Sequence, residues 1–224
     1  MSTVEKIIKG IKIFFFVMLY LLVKIKIMIL LEPEYLPRVN YFKDLSNKNI
    51  AYEVNLKFDS SKFFDKAHLC NKNGFFSIRV PTIIKTNSEF QRDIKIDYKK
   101  NWINSHTQSL QSSYGKFPYF IFYIDSIKNI LNRNHTYLVD LNYDLLSLFL
   151  DLLNFNQKLS KTPLVDIFSD KNTIFNTETS LSSNNDVHIM RKDFFLGKNF
   201  DYKLSVLDLL FLKGPESGFY IRNF

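Results

Sequence analysis

His106 offers the clearest chemistry in the sequence. It lies four residues after Trp102 and four before Leu110, so a helix over this segment places all three on one face. Burial on such a face lowers the pKa of a histidine and keeps its imidazole neutral at physiological pH. A neutral imidazole in a cleft can take a proton from an attacking amine or hydroxyl. His106 is therefore the predicted general base, and a core histidine bonded to a backbone carbonyl is the alternative.

The run LEPEYLP, which begins at Leu31, is a second candidate site. Its two prolines hold the chain in an extended turn directly after a predicted strand. The carboxyl ends of strands are where open α/β sheets bind ligands. Glu32, Glu34 and Tyr35 would present carboxylates and a phenol there, and Glu32 and Tyr35 are predicted to bind substrate. A rigid surface turn with solvated acids is the alternative.

Several common kinds of site are excluded by the residues themselves. The 6 glycines form neither a G-x-G-x-x-G turn nor a P-loop, so the two commonest phosphate cradles are absent. The sequence has no H-E-x-x-H pair and no G-x-S-x-G elbow. Cys70 is the only cysteine, which rules out an intramolecular disulfide and a cysteine-based zinc site. No metal site is predicted, with a site assembled from distant loops as the alternative, and no cofactor follows from the sequence.

The net charge of +8 does not by itself indicate a nucleic-acid partner. Half of it lies in residues 1–27, where five lysines accompany one glutamate. In the rest of the chain, basic residues are scattered among acids, which is typical of a solvated surface. No nucleic acid is expected as a partner.

An apolar run from Ile13 to Val23, flanked by lysines, marks the beginning of the chain. As a helix its eleven residues would rise about 16 Å, roughly half the thickness of a bilayer core. Residues 1–27 are therefore interpreted as a leader: either an extended start, with Met28 as the natural first residue, or an anchor on a membrane surface. The functional domain is predicted to span residues 28–224.

Apolar periodicity divides this domain into early strands and later helices. Strands are predicted at Ile27–Leu31, Ile50–Val54, Phe75–Ile84, Asp93–Tyr98 and Leu164–Phe168, with a short helix at Val39–Leu45. Longer helices are predicted at Lys100–Tyr114, Pro118–Arg133, Asn142–Leu153 and Leu204–Leu212, and a long loop at Ser169–Asp186. Strands followed by a cluster of helices, with no linker between them, indicate a single domain of the α+β or mixed α/β class.

Three blocks of this sequence resemble the WbqC-like protein family. LLEPEYLPRVNYF at Leu30–Phe42 is similar to the family's amino-terminal signature, and WINSHTQSLQSSYGKFPYFIFY at Trp102–Tyr123 to its helical motif. LSVLDLLFLKGPES at Leu204–Ser217 resembles its carboxyl-terminal segment. The blocks agree with the family in order and spacing over residues 28–218.

The resemblance implies a cytoplasmic protein that works in surface-polysaccharide (O-antigen) biosynthesis. The corresponding hypothesis is a group transferase that modifies a sugar or sugar nucleotide, with His106 as general base. Trp102 and Tyr114 of the helical motif would contact the substrate, although packing is the alternative for Tyr114. Many members carry Arg-Asn-Arg where this chain has Phe-Asp-Lys at 64–66, so only Lys66 would hold an anionic group. A single lysine is a poorer clamp for such a group than a pair of arginines.

A function of a different class remains open. The apolar leader, the positive charge and the lack of a complete catalytic constellation also fit a non-enzymatic binding or assembly protein at the inner membrane surface. Its peripheral membrane contact would be made through residues 1–27.

Overall fold

The computed structural model of this chain describes residues 28–43, 45, 49–84, 90–155, 159–161, 173–175 and 204–223. The leader at residues 1–27 lies outside them, as do the predicted strand Leu164–Phe168 and most of the predicted loop Ser169–Asp186. Within the described ranges, no helix is both long enough and apolar enough to cross a membrane.

A parallel sheet of four short strands forms the centre of the fold. The strands are β1 (Met28–Leu31), β2 (Asn49–Tyr52), β7 (Leu159–Lys161) and β8 (Thr173–Phe175), in the order β7-β2-β1-β8. Ile29, Leu30 and Leu31 are all buried, as expected for an interior strand covered on both faces. The chain places β2 on one side of β1 and later returns to place β8 on the other side. The carboxyl end of β1 therefore lies where the strand order reverses, which is the usual ligand position in such sheets.

Two antiparallel pairs accompany this sheet. The hairpin of β3 (Lys66–Asn71) and β4 (Gly74–Arg79) turns where Asn71 pairs with Gly74, and the glycine has a φ of 122° that other residues rarely adopt. The second pair consists of β5 (Thr82–Ile83) and β6 (Lys95–Ile96).

In the described ranges, five α-helices follow the early strands. They are α1 (Trp102–Tyr114), α2 (Phe120–Leu131), α3 (Leu138–Leu152), α4 (Val206–Lys213) and α5 (Ser217–Arg222). Short 3-10 helices occur at Val39–Phe42, Gln91–Asp93 and Gly214–Glu216. One hydrophobic core joins residues of β1, the β3–β4 hairpin and all five helices, and a single domain follows from this continuity. The predicted class, strands followed by helices in an α+β arrangement, is confirmed.

The carboxyl-terminal segment is tied to the first loop of the chain. The backbone N–H of Val39 donates to Leu204 at 3.0 Å, and that of Val206 donates to Pro37 at 2.8 Å. On its other side, the N–H of Ser205 donates to the carbonyl of His68 in β3 at 2.9 Å. The start of α4 is thus held between the loop after β1 and the hairpin.

Several predicted elements differ from those of the structure. The predicted strand Phe75–Ile84 is two strands, because Pro81 lacks the N–H that a continuous ladder needs. The predicted short helix Val39–Leu45 is a single 3-10 turn, Val39–Phe42. β8 falls inside the segment predicted to be the loop Ser169–Asp186, and that prediction is wrong at Thr173–Phe175. Neither β3 nor α5 was expected from the sequence.

Candidate functional site

A hydrogen bond between Tyr35 and His106 joins the two segments that the sequence singles out. The Tyr35 hydroxyl lies 2.9 Å from Nδ1 of His106. Tyr35 follows β1, where its N–H donates to the carbonyl of Phe63 at 3.0 Å. His106 occupies the inward face of α1. Tyr35 is 1 % exposed and His106 is 4 % exposed, so the pair is enclosed by the protein.

Burial sets the protonation state of this pair. It lowers the pKa of His106 from 6.5 to about 4, although a hydrogen bond to the Arg79 backbone acts in the opposite direction. Burial also raises the pKa of the Tyr35 phenol far above its ordinary value. Both groups are therefore uncharged at physiological pH. With a ring N–H donated to Arg79, Nδ1 is the acceptor of the neutral imidazole, and the Tyr35 hydroxyl donates to it.

Trp102 covers the other side of the imidazole. Its ring meets that of His106 edge to face, with the ring centroids 5.1 Å apart, and Tyr98 lies 6.0 Å from Trp102. The indole N–H of Trp102 is buried and has no hydrogen-bond acceptor among the described residues. The predicted spacing of one helical turn between Trp102 and His106 thus produces a direct ring contact.

Glu32 lies at the carboxyl end of β1, as predicted, and it is bound from two sides. Lys62 donates its ammonium to both carboxylate oxygens, at 2.9 and 3.1 Å. The side-chain amide of Gln91 donates to Oε1 at 3.1 Å. The carboxylate is 11 % exposed, whereas the Lys62 side chain is 45 % exposed.

Lys66 begins β3. Its ammonium donates to the carbonyls of Ser61 and Ser60 at 2.7 and 3.3 Å and lies 5.6 Å from the centre of the Phe63 ring. The guanidinium of Arg38 lies over the same ring, 4.2 Å from its centre. Phe63 thus has two cations against it, although the sequence comparison had pointed to Lys66 alone.

Tyr114 is separated from the other predicted site residues. It lies two turns beyond His106, about 12 Å further along α1. Its buried hydroxyl accepts a hydrogen bond from the N–H of Cys70 at 3.2 Å, and its ring packs against Phe117 and Phe211. The structure therefore brings Tyr35, Trp102 and His106 together and places Tyr114 in another part of the same core. A substrate contact by Tyr114 stays a prediction, as do the roles of the other candidates.

Ion pairs near the carboxyl edge of the sheet were missing from the sequence reasoning. Glu34 is 6 % exposed, and its two carboxylate oxygens share the Nε–H of Arg38, each at 3.1 Å from Nε. Asp65 is 2 % exposed and pairs with Arg79. In each pair the acid is buried and the cation is the more exposed partner. Burial raises the pKa of Asp65. The acids thus fix the two guanidinium groups, and that of Arg38 lies over Phe63.

Gln91 and Glu53 were also missed. Glu53 follows β2 as Glu32 follows β1, and the strand-end argument applies to it equally. The predicted strand Ile50–Val54 ran past Glu53 and concealed that position. No pattern marks Gln91, because a single glutamine after an irregular segment carries no periodic signal.

The described part of the chain contains no group of three or more histidine, cysteine, aspartate or glutamate side chains that could hold a metal ion. The site chemistry that can be described there is that of a neutral imidazole, a phenol, carboxylates and ammonium or guanidinium groups. These groups can move protons and bind polar or charged parts of a small molecule.

Comparisons with known proteins give one match. No curated protein and no solved structure matches this chain. The profile of the WbqC-like protein family matches residues 32–192, which is more than half of the chain and includes every candidate site residue named above. The chain belongs to the WbqC-like protein family.

Proposed function

We propose that this protein is a group transferase that modifies a sugar or sugar nucleotide in surface-polysaccharide (O-antigen) biosynthesis, in the cytoplasm. The observation that carries the proposal is the hydrogen bond between the Tyr35 hydroxyl and Nδ1 of His106 at the carboxyl end of the central strand. A neutral imidazole bonded to a phenol at the ligand-binding edge of a parallel sheet is suited to accept a proton. The family resemblance supplies the pathway class.

In the proposed reaction, the amine or hydroxyl of the acceptor attacks the group to be transferred. A bond forms between the acceptor nitrogen or oxygen and that group, while the bond from the group to its carrier breaks. The acceptor proton passes to the Tyr35 oxygen as the phenol proton moves to Nδ1 of His106, and the departing carrier takes it up afterwards. Because the pair is enclosed, the side chains that cover it must move aside when the substrate binds.

Lys66 is the proposed binding group for a substrate phosphate or carboxylate. Its ammonium lies beside Phe63, and the guanidinium of Arg38 stands against the same ring. Arg38 does not replace the clamp of the family's Arg-Asn-Arg stretch, because its Nε and one Nη already donate to Glu34. The arginine fork binds phosphate oxygens in pairs, which a lysine cannot do.

Native mass spectrometry of the full chain, freshly purified from cells, tests the binding part of the proposal. We expect an added mass that corresponds to a sugar nucleotide or a donor fragment, or uptake of added UDP-glucose or UDP-N-acetylglucosamine. Lys66→Met should retain at least tenfold less of it. A protein that stays bare with every added sugar nucleotide would contradict the proposal.

The rate of transfer tests the proposed role of His106 as the base. With the bound substrate identified, His106→Gln should lower the rate of transfer about 100-fold or more. The control is His135→Gln, which removes a histidine whose ring nitrogen bonds Asp144. An unchanged rate in a folded His106→Gln protein would make the Tyr35–His106 pair a structural contact only.

The alternative function, assembly at the inner membrane surface, depends on residues 1–27, which lie outside the described ranges. It stays a prediction. Sedimentation of the full chain and of a chain that begins at Met28 with anionic vesicles would test it, because only the full chain should sediment.

A further inference from the structure

Two neighbouring strands end in acidic residues beside a buried amide. Glu32 follows β1 and Glu53 follows β2, and the N–H of Glu53 donates to the carbonyl of Leu31 at 2.9 Å. Gln91 is held against them, since its N–H donates to Leu56 at 2.8 Å and that of Arg92 to Val54 at 3.2 Å. Its side-chain amide then reaches Glu32. Glu32, Glu53 and Gln91 are called the carboxyl-edge cluster below.

Two oxygens of the carboxyl-edge cluster are buried without a hydrogen-bond donor. Glu53 and Gln91 are both 0 % exposed. Oε1 of Glu53 accepts the N–H of Asn55, and Nε2 of Gln91 donates to Glu32. Nothing among the described residues donates to Oε2 of Glu53 or to Oε1 of Gln91. Buried acceptors are nearly always satisfied, so these two oxygens point to a donor that is not among the described residues.

Lys62 shows which kind of donor fits Glu32. Its ammonium bonds both oxygens of that carboxylate, and its side chain is nearly half exposed. An exposed pair of this kind contributes little to stability, so the lysine can be displaced at low cost. Another ammonium can then occupy the same position on Glu32.

We propose that the carboxyl-edge cluster binds the amino group and neighbouring hydroxyls of an amino sugar. The sugar ammonium replaces that of Lys62 on Glu32, and the hydroxyls donate to Oε1 of Gln91 and Oε2 of Glu53. The inference rests on the proposed function, because it names the class of its acceptor. Glu32 and Tyr35 are three residues apart, so their Cα atoms lie within about 11 Å. A bound amino sugar thus lies close to the Tyr35–His106 pair.

Ligand-detected NMR titration of the full chain with glucosamine and glucose tests this inference. The two sugars differ by one ammonium in place of a hydroxyl. In mildly acidic buffer, where the amine is charged, glucosamine should bind at least fivefold more tightly than glucose. Glu32→Gln should abolish that preference, and N-acetylglucosamine, which has no ammonium, should show no preference over glucose.

Lys62→Met gives an opposite and more specific expectation. Loss of the competing ammonium should tighten glucosamine binding by up to about fivefold, since an exposed ion pair no longer has to be broken. The matched control is Lys57→Met, which removes an equal charge from an exposed position in the same segment between β2 and β3. It should leave the affinity for glucosamine unchanged. Because Lys62 is exposed, this variant is expected to fold normally.

Three results would overturn the inference. In the first, neither wild type nor Lys62→Met binds glucosamine. In the second, a folded Glu32→Gln protein binds glucosamine with the same affinity as wild type. Buried water would then be the donor to Oε2 of Glu53 and Oε1 of Gln91. In the third, Lys57→Met and Lys62→Met have equal effects. Binding is read without turnover, so a failure of transfer with Glu32-dependent binding would refute the proposed reaction and leave this site standing.

Discussion

The hydrogen bond between Tyr35 and His106 has a stabilising role as well as a proposed chemical one. Both partners are almost fully buried, so removing either leaves a polar atom that water cannot reach. A buried unpaired acceptor costs more than the net gain of an ordinary hydrogen bond. Because the pair is enclosed, the loss of a single polar atom from it should lower the stability of the protein.

Tyr35→Phe tests that sensitivity. The change removes one hydroxyl and leaves Nδ1 of His106 unpaired, so the free energy of unfolding should fall by about 1–3 kcal/mol in urea denaturation. Tyr98→Phe is the matched control: its hydroxyl donates to the carbonyl of His135 at 3.0 Å from an exposed position. It should cost less than about 0.5 kcal/mol. Equal losses in the two variants would mean that the buried bond has no special importance.

The lowered pKa of His106 predicts a pH dependence of stability. The unfolded chain binds a proton at this residue below about pH 6.5, whereas the folded chain binds it only below about pH 4. Stability is therefore full above pH 6.5 and is lost as the pH falls toward 4. The loss from this residue amounts to about 3 kcal/mol at most.

Urea denaturation of wild type and His106→Gln across that pH range measures this contribution. Glutamine keeps an acceptor for Tyr35 and a donor for Arg79 but does not titrate. The difference in stability between the two proteins should change by up to about 3 kcal/mol, in favour of the variant at low pH. A constant difference would show that His106 titrates normally in the folded protein.

Elements with long, regular periodicity were predictable, and short or paired ones were not. α1 and α2 were found within about two residues because an apolar side chain recurs at every turn. β1 was found because five consecutive apolar residues, Ile27–Leu31, precede a proline-rich turn. β3 was missed although its side chains partly alternate between buried and half-buried, because the pattern is short and its partner β4 was read alone. β8 has three residues and lies in a polar segment, so local sequence could not reveal it.

In the candidate site too, individual residues could be predicted from the sequence, but contacts between distant segments could not. His106 and Tyr35 were predictable singly, each from its own segment, but the bond between them spans 71 positions of the chain. Such a pairing depends on how α1 packs against the loop after β1, and no local pattern encodes it. The same holds for Gln91 on Glu32, which spans 59 positions.

Gly214 ends α4 in a way that no other residue can repeat without strain. Its φ is +57°, and a Cβ there would collide with the ring of Tyr119. Gly214→Ala should lower the free energy of unfolding by about 2 kcal/mol or more, as measured by urea denaturation. In a protein that already carries Tyr119→Ala, the ring is gone and only the positive φ opposes the new Cβ. Adding Gly214→Ala there should lower the free energy of unfolding by only about 1 kcal/mol. Identical costs in the two backgrounds would eliminate the collision as a cause.

At the scale of the whole molecule, the chain's first loop and last helices form one structure. Hydrogen bonds join Val39 to Leu204 and Val206 to Pro37, and Gly218 packs so closely on the end of α3 that a Cβ would meet the carbonyl of Leu153. The loop that carries Glu32 and Tyr35 is thus supported by residues almost 170 positions away. We expect the candidate site to depend on these contacts, which are called the closure below.

Truncation at either end tests the closure. A chain that ends before Leu204 should lose cooperative thermal unfolding, because the loop after β1 and the core around α4 lose their partners. A chain that begins at Met28 should keep its transition temperature, as the predicted domain 28–224 requires. Circular dichroism during heating measures both. A cooperative transition in the carboxyl-terminal truncation would contradict the closure.

The backbone hydrogen bonds between Pro37 and Val206 and between Val39 and Leu204 have a consequence for folding during synthesis. During synthesis the loop with Tyr35 emerges early and must wait for nearly the whole chain before its backbone partners leave the ribosome. The helix with His106 emerges halfway. The Tyr35–His106 pair is therefore completed at the end of translation, and a prematurely terminated chain carries both residues without the support that holds them together.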